Sequence, residues 1–113
     1  MKKIEAIVKP SKLEAIKEAL VLAEIPCMTI SAVKGAGLQR GFTEVYRGTE
    51  RKLNLLNKVK IECVVSDDNL EKAIDIIVNN AHTGEIGDGK IFVYDVADAI
   101  RIRTKERGPQ AIR

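Results

Sequence analysis

A chain of 113 residues with 45% hydrophobic and 31% charged residues has the balance and size of one soluble globular domain, with a core small enough that oligomerisation would reinforce it. Nineteen basic against sixteen acidic residues leave a net charge of +3, too mild to indicate nucleic acid. No apolar run reaches the roughly 18 residues of a membrane span, and "MKKIEAIVKPSK" lacks the apolar stretch and cleavage site of a signal peptide, so a cytoplasmic protein is expected. Cys27 and Cys63 each lie in or beside an apolar stretch and read as buried, reduced thiols. With His82 as the single histidine, no zinc-ligand cluster is present.

Residues 2–8, "KKIEAIV", alternate and are rich in isoleucine, which predicts a strand. Pro10 breaks the pattern. Ser11 with Glu14 fits a capping box, and Leu13, Ile16, Leu20 and Ala23 follow at helical spacing, so a helix is expected to about residue 24. "MTISAVK", residues 28–34, predicts a second strand. Residues 35–57 fit neither period. That segment far exceeds the usual connection of about 4–6 residues, and such loops are functional or disordered. "KVKIECVV", residues 58–65, predicts a third strand. "SDDNLEKAIDIIVNNA" opens with capping residues and places Leu70, Ile74, Ile77 and Val78 on one helical face. "KIFVYDV" reads as a fourth strand, and "AIRIRT" as a short fifth with Arg101 and Arg103 on one side.

The order is β-α-β, a long loop, then β-α-β. It matches the α+β, ferredoxin-like βαββαβ topology, an antiparallel sheet with helices on one face. Strands this apolar favour a partner over the other face, so a homo-oligomer is expected.

Two segments carry chemistry. "TGEIGDGK", residues 83–90, is compatible with a plain glycine-rich turn and with an anion cradle. In a cradle, glycine exposes backbone N–H groups and lets the main chain approach a phosphate, while Lys90 adds a compact charge. It is not a Walker A loop, because Ile91 and a strand follow the Gly-Lys pair. In "RIRTK", two alternate arginines suit a polyphosphate, or simply the solvated side of an edge strand. Phe42 and Tyr46 lie in the long polar loop, where aromatics either fold back on the body or insert into a partner. His82 and the acidic residues supply no arrangement for an ATP-hydrolysing enzyme. An RNA-binding module would need Phe92 and Tyr94 for base stacking, and they fit one face of a strand equally well.

The chain resembles the PII family of nitrogen and energy signalling proteins over essentially its whole length. The resemblance rests on "KKIEAIVKP", "MTISAVKGAG", "QRGFTEVYRG", "KVKIE", "TGEIGDGKIFVYDV" and "IRIRT", in order and at the family's spacing. It implies one domain over residues 1–113, a homotrimer, and ATP or ADP sites shared between subunits. Residues 35–57 would be the partner-contacting T-loop, 82–90 the B-loop, and 101–107 the C-loop given by a neighbouring subunit. Gly35, Gly37, Gly87, Asp88, Gly89 and Lys90, with Arg101 and Arg103 from across the interface, would hold phosphates. Ile7, Thr29, Glu62 and Val64 would surround the adenine. Gln39 matches the residue that completes a Mg²⁺ shell, and Lys9 and Lys58 match groups near 2-oxoglutarate. Tyr46, Arg47 and Arg51 would face a partner. That partner is expected to be a membrane transporter, the ammonium channel first and an ABC importer as its rival, so the cytoplasmic protein would be recruited to the membrane by it. The family's role is regulatory and not enzymatic.

The chain departs from the family pattern at named positions. Leu38 stands where a basic residue often contacts the terminal phosphate, and Ala36 where phenylalanine is common. Arg51 replaces the tyrosine that many bacterial members have modified with a nucleotidyl group. Asn54 and Asn57 replace a frequent aspartate and proline, so residues 49–58 present a different and more basic surface.

Overall fold

The computed structural model describes residues 1–37 and 54–113. Its elements are β1 (Lys2–Val8), α1 (Leu13–Leu22), β2 (Thr29–Gly37), β3 (Asn54–Val65), α2 (Leu70–Ala81) and β4 (Gly89–Asp95). They build one four-stranded antiparallel sheet in the order β2-β3-β1-β4. This is the ferredoxin-like α+β arrangement expected from the pattern.

Register follows from which side chains need cover. Ile4 pairs with Cys63, Ala6 with Ile61 and Val8 with Val59, and all six are buried. Ile16 and Leu20 of α1 and Ala73, Ile77 and Ala81 of α2 close over that face. A fully buried side chain of the Val, Leu or Ile class contributes about 1.5–3 kcal/mol. A one-residue slip would move the whole set to the wrong face, so the apolar alternation specifies the pairing.

The opposite face carries charge, whereas the apolar strand composition implied a greasy one. Lys3 Nζ lies 2.6 Å from Glu62, and Lys60 Nζ lies 4.0 Å from Glu5. Tyr94 Oη donates to Glu5 Oε2 at 3.0 Å, and Lys3 Nζ sits 5.4 Å from the Tyr94 ring centre. Ile7, Val64 and Phe92 share this face by register. The Lys3 partner holds the Glu62 carboxyl below its ordinary value, while the hydrogen bond to Glu5 raises the Tyr94 phenol.

Several expectations are corrected. Ser11 does not cap α1: Pro10–Lys12 form a 3-10 turn, the N-cap is Lys12, and no side chain caps it. Glu14 instead meets Lys17 at 3.2 Å. Val78 shares the face of Ile74 and Ile77, lining a hollow with them beside Val8, but is exposed. Cys27 is exposed, while Cys63 is buried and its thiol is pushed up by desolvation. The two middle strands also reach further than expected. β2 runs to Gly37 and β3 starts at Asn54, pairing Gly37 with Asn54, so the predicted loop 35–57 begins and ends as strand.

The expected fifth strand does not form. A single antiparallel bridge joins Ile100 to Arg107 around a turn at 102–104, followed by a 3-10 turn over Gly108–Ile112. Glu106 is the reason: its carbonyl accepts the Arg101 N–H and its carboxylate accepts from Arg101 and Thr104, which closes the chain on itself. Among the described residues, no helix is long and apolar enough to cross a membrane.

Candidate functional site

The glycine segment between α2 and β4 is built around one carboxylate. Asp88 accepts from Thr83 N–H at 2.8 Å, Thr83 Oγ1 at 2.5 Å and Gly84 N–H at 2.9 Å. Lys9 Nζ lies 3.3 Å away. These donors hold the Asp88 carboxyl well below the usual carboxylate range, the Thr83 hydroxyl first among them. A carboxylate tied into its own loop in this way shapes the loop. It is poorly suited to face a phosphate, since like charges repel.

Glycine is required where the loop turns into β4. Gly89 has φ +105°, a backbone conformation that L side chains rarely adopt, and a Cβ there would fall 1.8 Å from the Ile7 carbonyl oxygen. Gly87, at φ +100°, is flanked by lysines: a Cβ there would lie 3.7 Å from both Lys58 Nζ and Lys9 Cε. Lys58 donates to the Gly87 carbonyl at 2.5 Å. Gly35 is packed against the stem of the same lysine, with Lys58 Cγ 3.3 Å from a Cβ built there. Lys90 is exposed and pairs with Ile7 in the sheet register. One end of the sheet therefore gathers Ile7, Lys9, Gly35, Lys58, Gly87, Gly89 and Lys90.

A second group sits towards the other end. Thr29, Glu62, Val64 and Arg101 line a cleft of about 510 Å³ together with Lys3, Met28 and the 111–113 segment. Lys3 faces Val64 in the register and Ile7 faces Lys60. Four residues of strand, about 14 Å, separate Lys3 from Ile7. Arg101 donates through Nη1 to Glu106 at 2.7 Å and through Nη2 to the carbonyls of Gln110 at 3.1 Å and Arg113 at 2.7 Å. Arg103 lies exposed in the 102–104 turn, so the two arginines do not share the side of a strand.

The structure thus divides the sequence-derived residues into two clusters within one chain. Gly37 ends β2. Leu38, Gln39, Phe42, Tyr46, Arg47 and Arg51 lie outside the described residues. Two contributors were missed from sequence, Thr83 and Glu106. For Thr83 a signal exists, because Thr and Asp side chains bracketing a glycine turn commonly hydrogen-bond its backbone. For Glu106 no local signal exists, since its partner is fixed by the fold of the turn.

Chemically, the first cluster is a cationic cradle of glycine backbone and lysine side chains, fit for an anion. The second offers a mixed polar and apolar cleft beside an arginine. Among the described residues, no group of three His, Cys, Asp or Glu side chains could hold a metal ion.

A family model described as nitrogen regulatory protein P-II matches residues 1–106. The nitrogen regulatory protein P-II of Klebsiella oxytoca is 55% identical over 112 residues, covering 99% of this chain and 100% of the relative. Nitrogen regulatory protein P-II 1 of Escherichia coli (strain K12) and nitrogen regulatory protein P-II of Rhodospirillum rubrum match at the same identity and the same coverage. With nearly the whole chain matched, this protein belongs to the P-II family of nitrogen regulatory proteins, which are signal-transduction regulators and not enzymes.

Proposed function

We propose that the protein is a homotrimer that binds ATP and ADP competitively between subunits and reports the outcome to a target protein through the segment of residues 35–57. The observation that carries this reading is the division of the site into two clusters on one sheet, with Glu62 standing two strand residues, about 7 Å, and Val64 four, about 14 Å, from the level of Ile7. A closed rotational assembly brings one end of each subunit to the other end of its neighbour, and so completes each site. The charged outer face supplies paired groups for such an assembly.

The cradle fits a phosphate chain. Position 89 leaves no room for a side chain, and Lys9, Lys58 and Lys90 stand at the same end of the sheet. Gly35, Gly37, Gly87, Gly89 and Lys90 would hold the phosphates with Arg101 and Arg103 of the neighbour. Ile7, Thr29, Glu62 and Val64 would enclose the base, and Asp88 would keep the loop in shape. Gln39 would complete a Mg²⁺ shell under ATP, and Lys9 and Lys58 would then meet 2-oxoglutarate. The target in this reading is a membrane transporter such as an ammonium channel, contacted by Tyr46, Arg47 and Arg51. The protein would work in the cytoplasm and be drawn to the membrane by that target.

One observation favours a second reading, a nucleotide-only energy sensor acting on another transporter such as an ABC importer. Lys58 already donates to the Gly87 carbonyl and Lys9 already pairs with Asp88, so a keto acid would have to displace both contacts. Calorimetry with ATP, with ADP, and with ATP, Mg²⁺ and 2-oxoglutarate together tests both. Competitive ATP and ADP binding supports the first half. Heat from 2-oxoglutarate only when Mg²⁺ and ATP are present selects the first reading over the second. No binding of either nucleotide overturns both.

A further inference from the structure

The segment Gly108–Arg113 lies between two clefts. Ala111, Ile112 and Arg113 form a wall of the Thr29, Glu62 and Val64 cleft. Pro109, Ile112 and Arg113 line a second hollow beside Ile25, Val65 and Ser66. The segment contributes no residue to the buried core, and Ile112 is only half-buried. Its polar ties are the Gly108 N–H on the Ala99 carbonyl at 2.9 Å and two carbonyls on Arg101.

Those two carbonyls decide what Arg101 can do. A guanidinium has five N–H donors and grips an anion through one of two paired edges. One edge joins Nε to Nη2 and the other joins Nη1 to Nη2, so both need an Nη2 hydrogen. Here Nη2 donates to Gln110 O and to Arg113 O, which takes both its hydrogens. Nη1 already donates to Glu106. With the segment docked, Arg101 has no paired edge left for a phosphate.

We propose that residues 108–113 form a strap that competes with the nucleotide phosphates for Arg101, so that nucleotide binding and strap docking oppose each other. The proposal rests on the nucleotide reading above and adds its regulation. Undocking costs the strap little core contact, and the Arg101–Glu106 pair lies within the turn, so it can persist and keep the arginine placed. A bidentate phosphate contact would replace two contacts to backbone oxygens.

The test measures ADP affinity by calorimetry in three proteins: the full chain, a chain ending at Gly108, and the full chain with Ile112→Asp, which disfavours docking without shortening the chain. Each is measured with and without Arg101→Ala, and trimer mass is checked throughout. Release of the strap should tighten ADP binding by about threefold or more, the worth of at least one hydrogen bond to Arg101. With Arg101→Ala, the gain should vanish. A second readout is hydrogen exchange at the Gly108 N–H, which the Ala99 carbonyl holds in the docked strap and which saturating ADP should accelerate. Unchanged or weakened ADP binding in both strap variants overturns the strap while leaving the nucleotide site intact. A gain that survives Arg101→Ala also overturns it. Absence of ADP binding in every protein overturns the nucleotide reading and the strap with it.

Discussion

A Cβ at position 89 would stand 1.8 Å from the carbonyl oxygen of Ile7, at a φ of +105°. Both facts follow from β4 pairing with β1 immediately after the glycine loop, with Gly89 opposite Val8. Gly89→Ala should therefore destabilise the fold by about 1–3 kcal/mol or more, since strain and clash act together. Gly84→Ala meets only the His82 ring at 3.8 Å, with strain at φ +87° alone. Its loss should stay near about 1–2 kcal/mol. Urea unfolding of both variants checks the order; equal losses would show that the Ile7 contact is relieved by backbone movement.

Lys90→Ala and Arg103→Ala should each weaken ATP and ADP binding about tenfold to a hundredfold, the worth of one charge-assisted hydrogen bond of about 1.5–3 kcal/mol. Both residues are exposed, so neither change should disturb the core. Calorimetry together with a trimer mass measurement checks this, and unchanged affinity in both would remove the assigned phosphate site.

Leu38→Arg should raise affinity for ATP relative to ADP and strengthen any 2-oxoglutarate response. Leucine offers neither charge nor donor to a γ-phosphate, and arginine offers both. The quantity to measure is the ratio of the two dissociation constants. A ratio that does not move makes Leu38 an ordinary loop residue.

Acid should loosen the glycine loop. The Asp88 carboxyl is depressed in the folded state, so its stabilising effect is present above the unfolded value near pH 4 and is lost as pH falls through the folded value. Asp95, held down by Lys2, and Asp98, held down by Arg107, act in the same direction. Asp88→Asn keeps a carbonyl acceptor for Thr83 and Gly84 but cannot titrate. The variant should show a shallower fall in urea midpoint between about pH 5 and pH 2 than the parent. An identical slope would mean that Asp88 makes the same contacts in the unfolded chain.

One thiol should react in the native protein and two after unfolding. Cys27 is exposed, while Cys63 is buried in the core with its thiol raised by desolvation, and the thiolate is the reacting species. Iodoacetamide labelling followed by intact-mass measurement checks the count. Because Cys27 lines the Thr29 and Arg101 cleft, saturating ADP should slow its labelling.

What the sequence determined by itself was periodic or sterically forced. The alternation in "KKIEAIV" and "KVKIECVV" specified β1 and β3 and their buried faces, because only one register hides Ile4, Ala6, Val8, Val59, Ile61 and Cys63 together. The spacing of Leu13, Ile16 and Leu20 specified α1, and the crowding of glycines before β4 marked the tight turn into that strand. Tertiary structure decided what depends on residues distant in the chain. Ser11 and Glu14 had the form of a cap, yet Pro10 fixed a 3-10 turn that used the position otherwise. Alternation in "RIRT" had the form of a strand, yet Glu106 closed the segment into a turn. Asp88 and Lys90 are two residues apart in one motif, but only the fold turned the first inward to Thr83 and left the second exposed. Composition counted apolar strands on both faces, whereas pairing Lys3 with Glu62 and Glu5 with Tyr94 needed three strands side by side before the outer face could be recognised as charged. Local periodicity is written in neighbouring residues; partners across a sheet are written only in the register, which forms when the whole core is buried at once.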